Sequence, residues 1–345
     1  MNIYILLILS LLSFETSSRG SKRPRPIRWP WQKKKPTVPK KSYGFKSHSY
    51  SQCANNIQKS LDRMRKRPRR YYDFNVNSRV FHSQNYRMSL FNKNTLGLDN
   101  HFQGIAKLKG SNNFIISGGD FKRKEAHLFV INRGRVVKKM IIGKGNLWHP
   151  GGISVAGDVL AVPNQAYKTS GPDYIQFYDV RDPKNPKELF KIQMTIGMGI
   201  SFHRRRSDQR YILIHGSKVS ISKTANILDK FKPSRPLNFS AKQNQSIIED
   251  CRTKELYVVN FNNDSKAAPI LPGKDIASLY KLNLNEGGAS ASGTKIKDYI
   301  FNCGYMRCNF AAAATLYIER NRIKIRATHH YRRWFGKKIR SGEFY

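Results

Sequence analysis

The sequence predicts an all-β protein, a single β-propeller with five blades, six being the alternative count, preceded by a disordered basic N-terminal arm. Short runs rich in Ile, Val, Phe and Tyr alternate with Gly, Asn, Asp and Pro, which is typical of antiparallel strands joined by turns. A motif returns with a period near 48 residues, about the length of one four-stranded blade. Outside the N-terminal apolar run, only residues 54–64 are suited to a helix.

The repeat begins as HFQGI at residues 101–105 and returns as HPGGI at residues 149–153. Weaker copies are GMGI at 197–200, QSII at 245–248 and CNFA at 308–311. Each copy predicts the innermost strand of a blade. Second strands are expected at residues 113–117, 159–163, 211–215, 256–260 and 323–328, and third strands at 127–132, 174–180 and 278–284. The alternating segment 79–91 is expected to complete the last blade, which would remove the exposed sheet edge.

One of these strands carries a family resemblance. Residues 174–189, YIQFYDVRDPKNPKEL, resemble the repeat of LVIVD-type β-propellers, in which a strand ending in Asp-Val precedes an Asp-Pro-x-x-Pro turn. The match is weaker at residues 127–132 and absent elsewhere. The resemblance implies a secreted or surface β-propeller. That family is functionally mixed and has no shared catalytic residues to transfer.

Three regions are expected along the chain: a signal peptide (residues 1–18), a basic Pro/Arg/Lys-rich arm (19–70) and the propeller (71–345). The apolar run at residues 3–14 is too short to span a bilayer and is followed by small residues at 16–18. We therefore expect a secreted, periplasmic or extracellular protein with no membrane span after cleavage. An uncleaved anchor or a buried strand is the alternative.

Positive charge is the strongest compositional feature, with 63 Lys and Arg against 22 Asp and Glu and a formal net charge of +41. The arm contains one acidic residue, Asp62, and prolines that disfavour helix, but the rest of the chain is basic too. Such charge favours a polyanionic partner: an acidic polysaccharide, nucleic acid or an anionic cell surface. The first functional hypothesis is therefore a secreted, monomeric binding protein. A solvated arm that only keeps the protein soluble is the alternative.

Four cysteines are an even number, as expected in an oxidising compartment. Zinc is the competing interpretation, but the cysteine spacing suits a tetrahedral site poorly. In a propeller, Cys303 and Cys308 fall on one face, while Cys251 falls on the other. We therefore expect disulfides Cys303–Cys308 and Cys53–Cys251, the second of which would pin the arm.

The propeller geometry also predicts a site. The start of each innermost strand and the end of each second strand lie on the same face beside the axis, so polar residues there should converge on one channel mouth. Individually, such residues are also explained as turn caps or structural histidines. The predicted ligand-binding residues are His101, Gln103, Asp120, His149, Asn164, Gln165, His215, Asn260, Asn309 and His329.

Four of the predicted mouth residues are histidines: His101, His149, His215 and His329. Imidazoles can bind a divalent metal or act as acid and base near neutral pH. The alternative function is therefore a metal-dependent hydrolase or a lactonase-like enzyme. The sequence contains no P-loop, dinucleotide fingerprint or HExxH motif, and GISVAG at 152–157 only approaches G-x-S-x-G. Ligand, cofactor and catalytic residues therefore stay unassigned at this level.

Overall fold

Strands make up nearly all of the regular structure in the described part of the chain. The computed structural model describes residues 53–75, 100–108, 110–121, 123–167, 170–194, 199–240, 242–264, 273–285, 290–304, 307–329 and 338–345, without the side chains of residues 75, 100 and 101. All of these belong to one compact unit, Phe45–Tyr345. The expected signal peptide, the arm up to residue 52 and the segment 79–91 lie outside the described residues.

The regular elements include one α-helix, α1 (Ile57–Arg63), and one short 3-10 helix, Ile227–Asp229. The strands are β1 (Cys53–Ala54), β2 (Arg70–Asn75), β3 (Asn100–Lys107), β4 (Asn113–Asp120), β5 (Glu125–Asn132), β6 (Arg135–Lys144), β7 (His149–Pro150), β8 (Ser154–Ala156), β9 (Val159–Gln165), β10 (Tyr174–Asp179), β11 (Lys187–Gln193), β12 (Ile200–Arg204), β13 (Tyr211–His215), β14 (Lys218–Ile221), β15 (Arg235–Pro236), β16 (Asn244–Asp250), β17 (Leu256–Asn263), β18 (Asp275–Asn283), β19 (Ser292–Phe301), β20 (Ala313–Glu319), β21 (Arg322–Thr328) and β22 (Lys338–Phe344).

These strands form the five blades of a β-propeller, so the predicted fold class is confirmed. The first blade is β3 to β6, the second β7 to β11, the third β12 to β15 and the fourth β16 to β19. The fifth blade is β20, β21, β22 and, as its outer strand, β2. The inner strand of the second blade is interrupted, because β7 and β8 both pair with β9. The second strands predicted from the repeat all fall within observed strands.

The inner strands close into a ring. Strand β3 contacts β8, β8 contacts β12, β12 contacts β16, β16 contacts β20, and β20 returns to β3. An apolar cluster fills each of the five interfaces between neighbouring blades. Between the second and third blades, for example, Phe177 meets Phe202 edge-on at 5.5 Å. Alternating apolar side chains on both faces of each blade therefore hold the ring together by burial.

The last blade is completed by a segment nearer the N-terminus than the sequence suggested. Strand β2 pairs antiparallel with β22, from Arg70 opposite Glu343 to Asn75 opposite Lys338. A single parallel pair, Asn75 with Arg135, also links this blade to the first. The closing strand expected at 79–91 lies outside the described residues, and the strand that the structure shows beside β22 is β2.

Part of the expected arm is folded onto the propeller. Strand β1 adds in parallel to β16, and α1 buries Ile57 and Leu61 in the cluster between the fourth and fifth blades. The helix predicted at 54–64 is thus confirmed. Burial of this apolar helix face stabilises α1 against the propeller, although the segment is strongly basic.

Both expected disulfides are present. Cys53 is bonded to Cys251 across a sequence separation of 198 residues, and Cys303 is bonded to Cys308. The described residues contain no free cysteine. Pairing of all cysteines in disulfides is typical of proteins that fold in an oxidising, extracellular compartment. No helix in the described residues has the length and apolar character needed to cross a membrane.

Candidate functional site

Three of the predicted mouth residues form one hydrogen-bonded chain between the first two blades. The Gln103 amide nitrogen lies 2.7 Å from His149 Nε2, and Gln165 Oε1 lies 3.3 Å from His149 Nδ1. An amide nitrogen only donates, so Nε2 accepts and the Nδ1 proton points to Gln165. Tyr167 stacks on the imidazole with ring centroids 4.4 Å apart. Both ring nitrogens of His149 are therefore engaged by the protein itself.

Other predicted residues bind backbone groups of their own neighbourhood. Asp120 accepts a hydrogen bond from the amide of Arg123, and Asn309 accepts one from the amide of Ala311. These two are the turn caps that short polar side chains commonly provide. Asn164 donates towards the carbonyl of Ile142, and Asn260 towards that of Ser240, at 3.5 and 3.4 Å.

The structure describes the side chains of three of the four histidines in the predicted metal site. His215 is buried and its Nε2 lies 3.2 Å from the Ser234 hydroxyl of the same blade. His329 is buried, and the side chain of His101 lies outside the description. Among the residues that the structure describes, no group of three or more His, Cys, Asp or Glu is placed to hold a metal ion. The metal assignment stays a prediction.

Backbone fills the axis where the inner strands begin. A Cβ on Gly104 would lie 2.6 Å from the Ile153 amide, and one on either Gly152 or Gly199 would collide with the Gln243 carbonyl. Gly152 and Gly199 also form a parallel bridge between the second and third blades. These glycines are required because no side chain fits where the strands approach so closely. At this end, the axis is packed rather than open.

An axial cavity of about 370 Å³ lies at the opposite end, where the inner strands finish. All five inner strands contribute to its wall. Its lining residues include Lys107, Ser154, His203, Ser246 and Tyr317. This volume is within the range of pockets that bind small molecules. We therefore regard this cavity as the candidate functional site.

One residue in its wall is a histidine paired with a buried carboxylate. His203 Nε2 lies 3.2 Å from Glu249 Oε2, and both side chains are almost fully buried. The same carboxylate oxygen accepts the amide proton of Arg206 at 3.0 Å. His203 is one of the residues that line the cavity. A carboxylate that orients an imidazole is the arrangement used in general base catalysis.

Lys107 brings a cation to the same wall. Its ammonium donates to the Ser111 carbonyl and lies 4.7 Å from the centroid of the Phe114 ring. Burial lowers the pKa of Lys107 below its ordinary value. The acid nearest on the wall, Glu319, is already paired with Lys324 at 2.7 Å. The cavity therefore favours ligands that carry negative charge or oxygen acceptors.

The sequence did not point to His203, to Glu249 as its partner, or to Lys107, because the predicted site lay at the end of the axis where the inner strands begin and the second strands end. A usable signal was present. Polar residues interrupt the apolar inner strands in ISFHR (200–204) and QSIIED (245–250), close to their far ends. Burying a charged side chain costs free energy unless the charge is paired. Charged residues inside these apolar strands therefore indicate paired contacts near the axis.

Comparisons with known proteins give no family. No protein-family model matches the chain, and no curated protein matches it. The LVIVD-like segment at residues 174–189 therefore stays a local resemblance.

Several solved structures are similar, and enzymes are among them. A luciferin-regenerating enzyme is 12% identical, with a TM-score of 0.37, and the match covers 70% of this chain and 77% of that one. The GH32 β-fructofuranosidase of Bombyx mori is 9% identical, with a TM-score of 0.40 and coverages of 70% and 58%. An exo-1,5-α-L-arabinanase from a bovine ruminal metagenomic library is 11% identical, with a TM-score of 0.40 and coverages of 70% and 92%. Likeness at this level says nothing about function.

Proposed function

We propose that the protein is a hydrolase that cleaves small polar esters or lactones in the axial cavity. The observation that supports this proposal is the His203–Glu249 pair, which places an oriented imidazole in the wall of a cavity of ligand size. The proposal keeps the hydrolase alternative of the sequence analysis but moves its site to the other end of the axis. It includes no metal step.

In this reaction, His203 removes a proton from a water molecule while the water oxygen attacks the carbonyl carbon of the substrate. The carbonyl electrons move to oxygen and form a tetrahedral intermediate. When the intermediate collapses, the bond to the leaving alcohol breaks and the imidazolium returns the proton to that alcohol. Glu249 holds the ring orientation and stabilises the imidazolium that forms transiently.

The remaining wall suggests how a substrate is held. The hydroxyl-bearing residues Ser154, Ser246 and Thr315 line the cavity on three different inner strands. Lys107 and Arg320 add positive charge to the same lining. The Ser154 and Ser246 hydroxyls already bind the backbone of Phe202 and Leu316. A compact substrate with a polar carbonyl is the best complement to this wall, because the two cations attract oxygen acceptors.

The test is hydrolysis of p-nitrophenyl acetate, phenyl acetate, δ-valerolactone and gluconolactone by the full chain. We expect His203→Gln to lower kcat/KM by about 100-fold or more on a substrate that the wild type cleaves. Glu249→Gln keeps a hydrogen bond but removes the charge, so kcat should fall about tenfold while KM stays unchanged.

The matched control is His127→Gln, which removes a histidine from a second His–Glu pair outside the cavity lining. This variant should keep the wild-type rate at neutral pH. Circular dichroism and thermal unfolding confirm that each variant is folded. If wild-type rates equal those of buffer across the panel, or if His203→Gln is as active as wild type, the proposal is wrong.

A further inference from the structure

The longest run of exposed positive charge in the described residues lies on the rim of the propeller. We call residues Arg63, Arg65, Lys66, Arg67, Arg69 and Arg70 the basic ridge; all six side chains are exposed. The ridge follows α1 and leads into β2. The adjacent acid Asp62 is paired with Lys297 at 2.7 Å. Within the described part of the chain, no salt bridge joins the six ridge side chains to an acidic group.

The backbone of the ridge is fixed. The Lys66 carbonyl accepts the amide proton of Asn302, and the Arg69 amide donates to the Glu343 carbonyl, each at 2.8 Å. Met64, which precedes them, is buried in the cluster of the fourth and fifth blades. A charged surface on a fixed backbone loses less conformational entropy when it binds than a mobile tail does.

Two ridge side chains also contact aromatic rings near the ends of β19 and β22. The Lys66 ammonium lies 4.9 Å from the ring centroid of Phe301, and the Arg69 guanidinium lies 4.9 Å from that of Tyr345. These contacts hold the cations on the surface without neutralising them, because an aromatic ring attracts a cation through its quadrupole alone.

We propose that the basic ridge is a docking site for an acidic polysaccharide that carries sulfate or carboxylate groups. Arginine forms paired hydrogen bonds with such oxyanions, and five of the six ridge residues are arginines. The two disulfides are typical of a compartment in which acidic polysaccharides, rather than nucleic acids, are the common polyanions.

The aromatic rings near the ridge favour the same partner. Proteins that bind single-stranded nucleic acid stack bases on free aromatic faces. Here the ring of Tyr345 already makes cation–π contacts with Lys324 and Arg69. The ring of Tyr299 makes them with Lys66 and Lys297. The ridge therefore presents cations over occupied rings, a surface suited to recognition of anionic groups. This site does not depend on the hydrolysis proposed above.

The test compares two triple variants of the full chain. Arg63→Gln, Arg65→Gln and Arg67→Gln together remove three ridge charges whose side chains are exposed. Lys218→Gln, Lys223→Gln and Lys230→Gln together remove three exposed charges from the third blade. Binding to a heparin oligosaccharide and to a DNA duplex of matched charge is measured between about 50 and 200 mM salt.

The ridge variant should bind heparin at least tenfold more weakly than wild type, with a salt slope smaller by about 2–3. The third-blade variant should stay within about twofold of wild type. His203→Gln should bind heparin normally, so a failed hydrolase leaves this proposal intact. Equal weakening by both triple variants would overturn it, as would a ridge variant that weakens DNA binding but not heparin binding.

Discussion

The two ends of the propeller axis are built from the same five strands but are filled differently. Where the inner strands begin, Gly104, Gly152 and Gly199 let backbone meet backbone. Where they finish, side chains as large as Lys107 and His203 surround a cavity of about 370 Å³. Glycines in the first three repeats let the backbone close one end, and larger polar side chains line the space at the other.

The same comparison holds for two histidine–glutamate pairs. His127 Nε2 lies 2.9 Å from Glu125 Oε2 in the first blade, away from the cavity, and His203 lies 3.2 Å from Glu249 in the cavity wall. The first pair sits on a strand inside the protein and packs against Phe129. In the second pair, His203 lines the cavity. Identical residue types thus serve packing in one place and face a ligand-sized volume in the other.

The largest expected effect is at the closed end. Gly152→Ala adds a methyl group that collides with the Gln243 carbonyl, and the inner strands cannot separate without disturbing two blade interfaces. We expect the free energy of unfolding to fall by about 3 kcal/mol. Thermal unfolding should show this as a Tm lower by roughly 5–10 °C.

Gly145→Ala is a control that measures the cost of backbone strain alone, without a lack of space. Gly145 has a φ of +64°, and no atom lies within 4 Å of the position of an added Cβ. Its replacement should cost only about 1 kcal/mol, the price of a left-handed conformation. Equal losses for the two variants would contradict a closed end that is limited by space.

The sequence predicted the ring well because the periodic apolar runs and the repeated Gly motif determine it directly. The five inner strands, the second strands and both disulfides follow from that period. The position of the cavity did not follow from the period. It depends on how closely glycines such as Gly152 approach Gln243 in three dimensions, and this closeness decides which end of the axis is open. The outer strand β2 was missed for a related reason: six consecutive residues of mixed character, RYYDFN, give little strand signal beside a run of arginines.

The buried His127–Glu125 pair of the first blade should make the stability of the protein depend on pH. Burial lowers the pKa of His127 to about 4, although its hydrogen bond to Glu125 acts in the opposite direction and nearby Lys139 adds to the lowering. Between about pH 6.5 and pH 4 the unfolded chain therefore binds a proton that the folded chain does not, so stability falls as the pH falls.

Urea unfolding of wild type at pH 7 and pH 4.5 should show a loss to which His127 contributes about 2 kcal/mol. His127→Gln removes this group while keeping a side chain that can hydrogen-bond to Glu125, so its loss over the same interval should be smaller by that amount. An unchanged loss would mean that other groups account for the acid sensitivity.

The smallest effect is expected at the open end. Val155 lines the cavity and is only partly buried, whereas Val162 on the neighbouring strand is fully buried between the first and second blades. Val155→Phe adds a ring to open space and should change the free energy of unfolding by less than about 1 kcal/mol, whereas Val162→Phe overpacks a filled interface and should cost about 1–3 kcal/mol. Both variants make the same chemical change in the same blade, so thermal unfolding of the pair isolates the effect of space. If Val155→Phe costs as much as Val162→Phe, the far end of the axis is packed in solution as tightly as the glycine end, and the difference between the two ends does not exist.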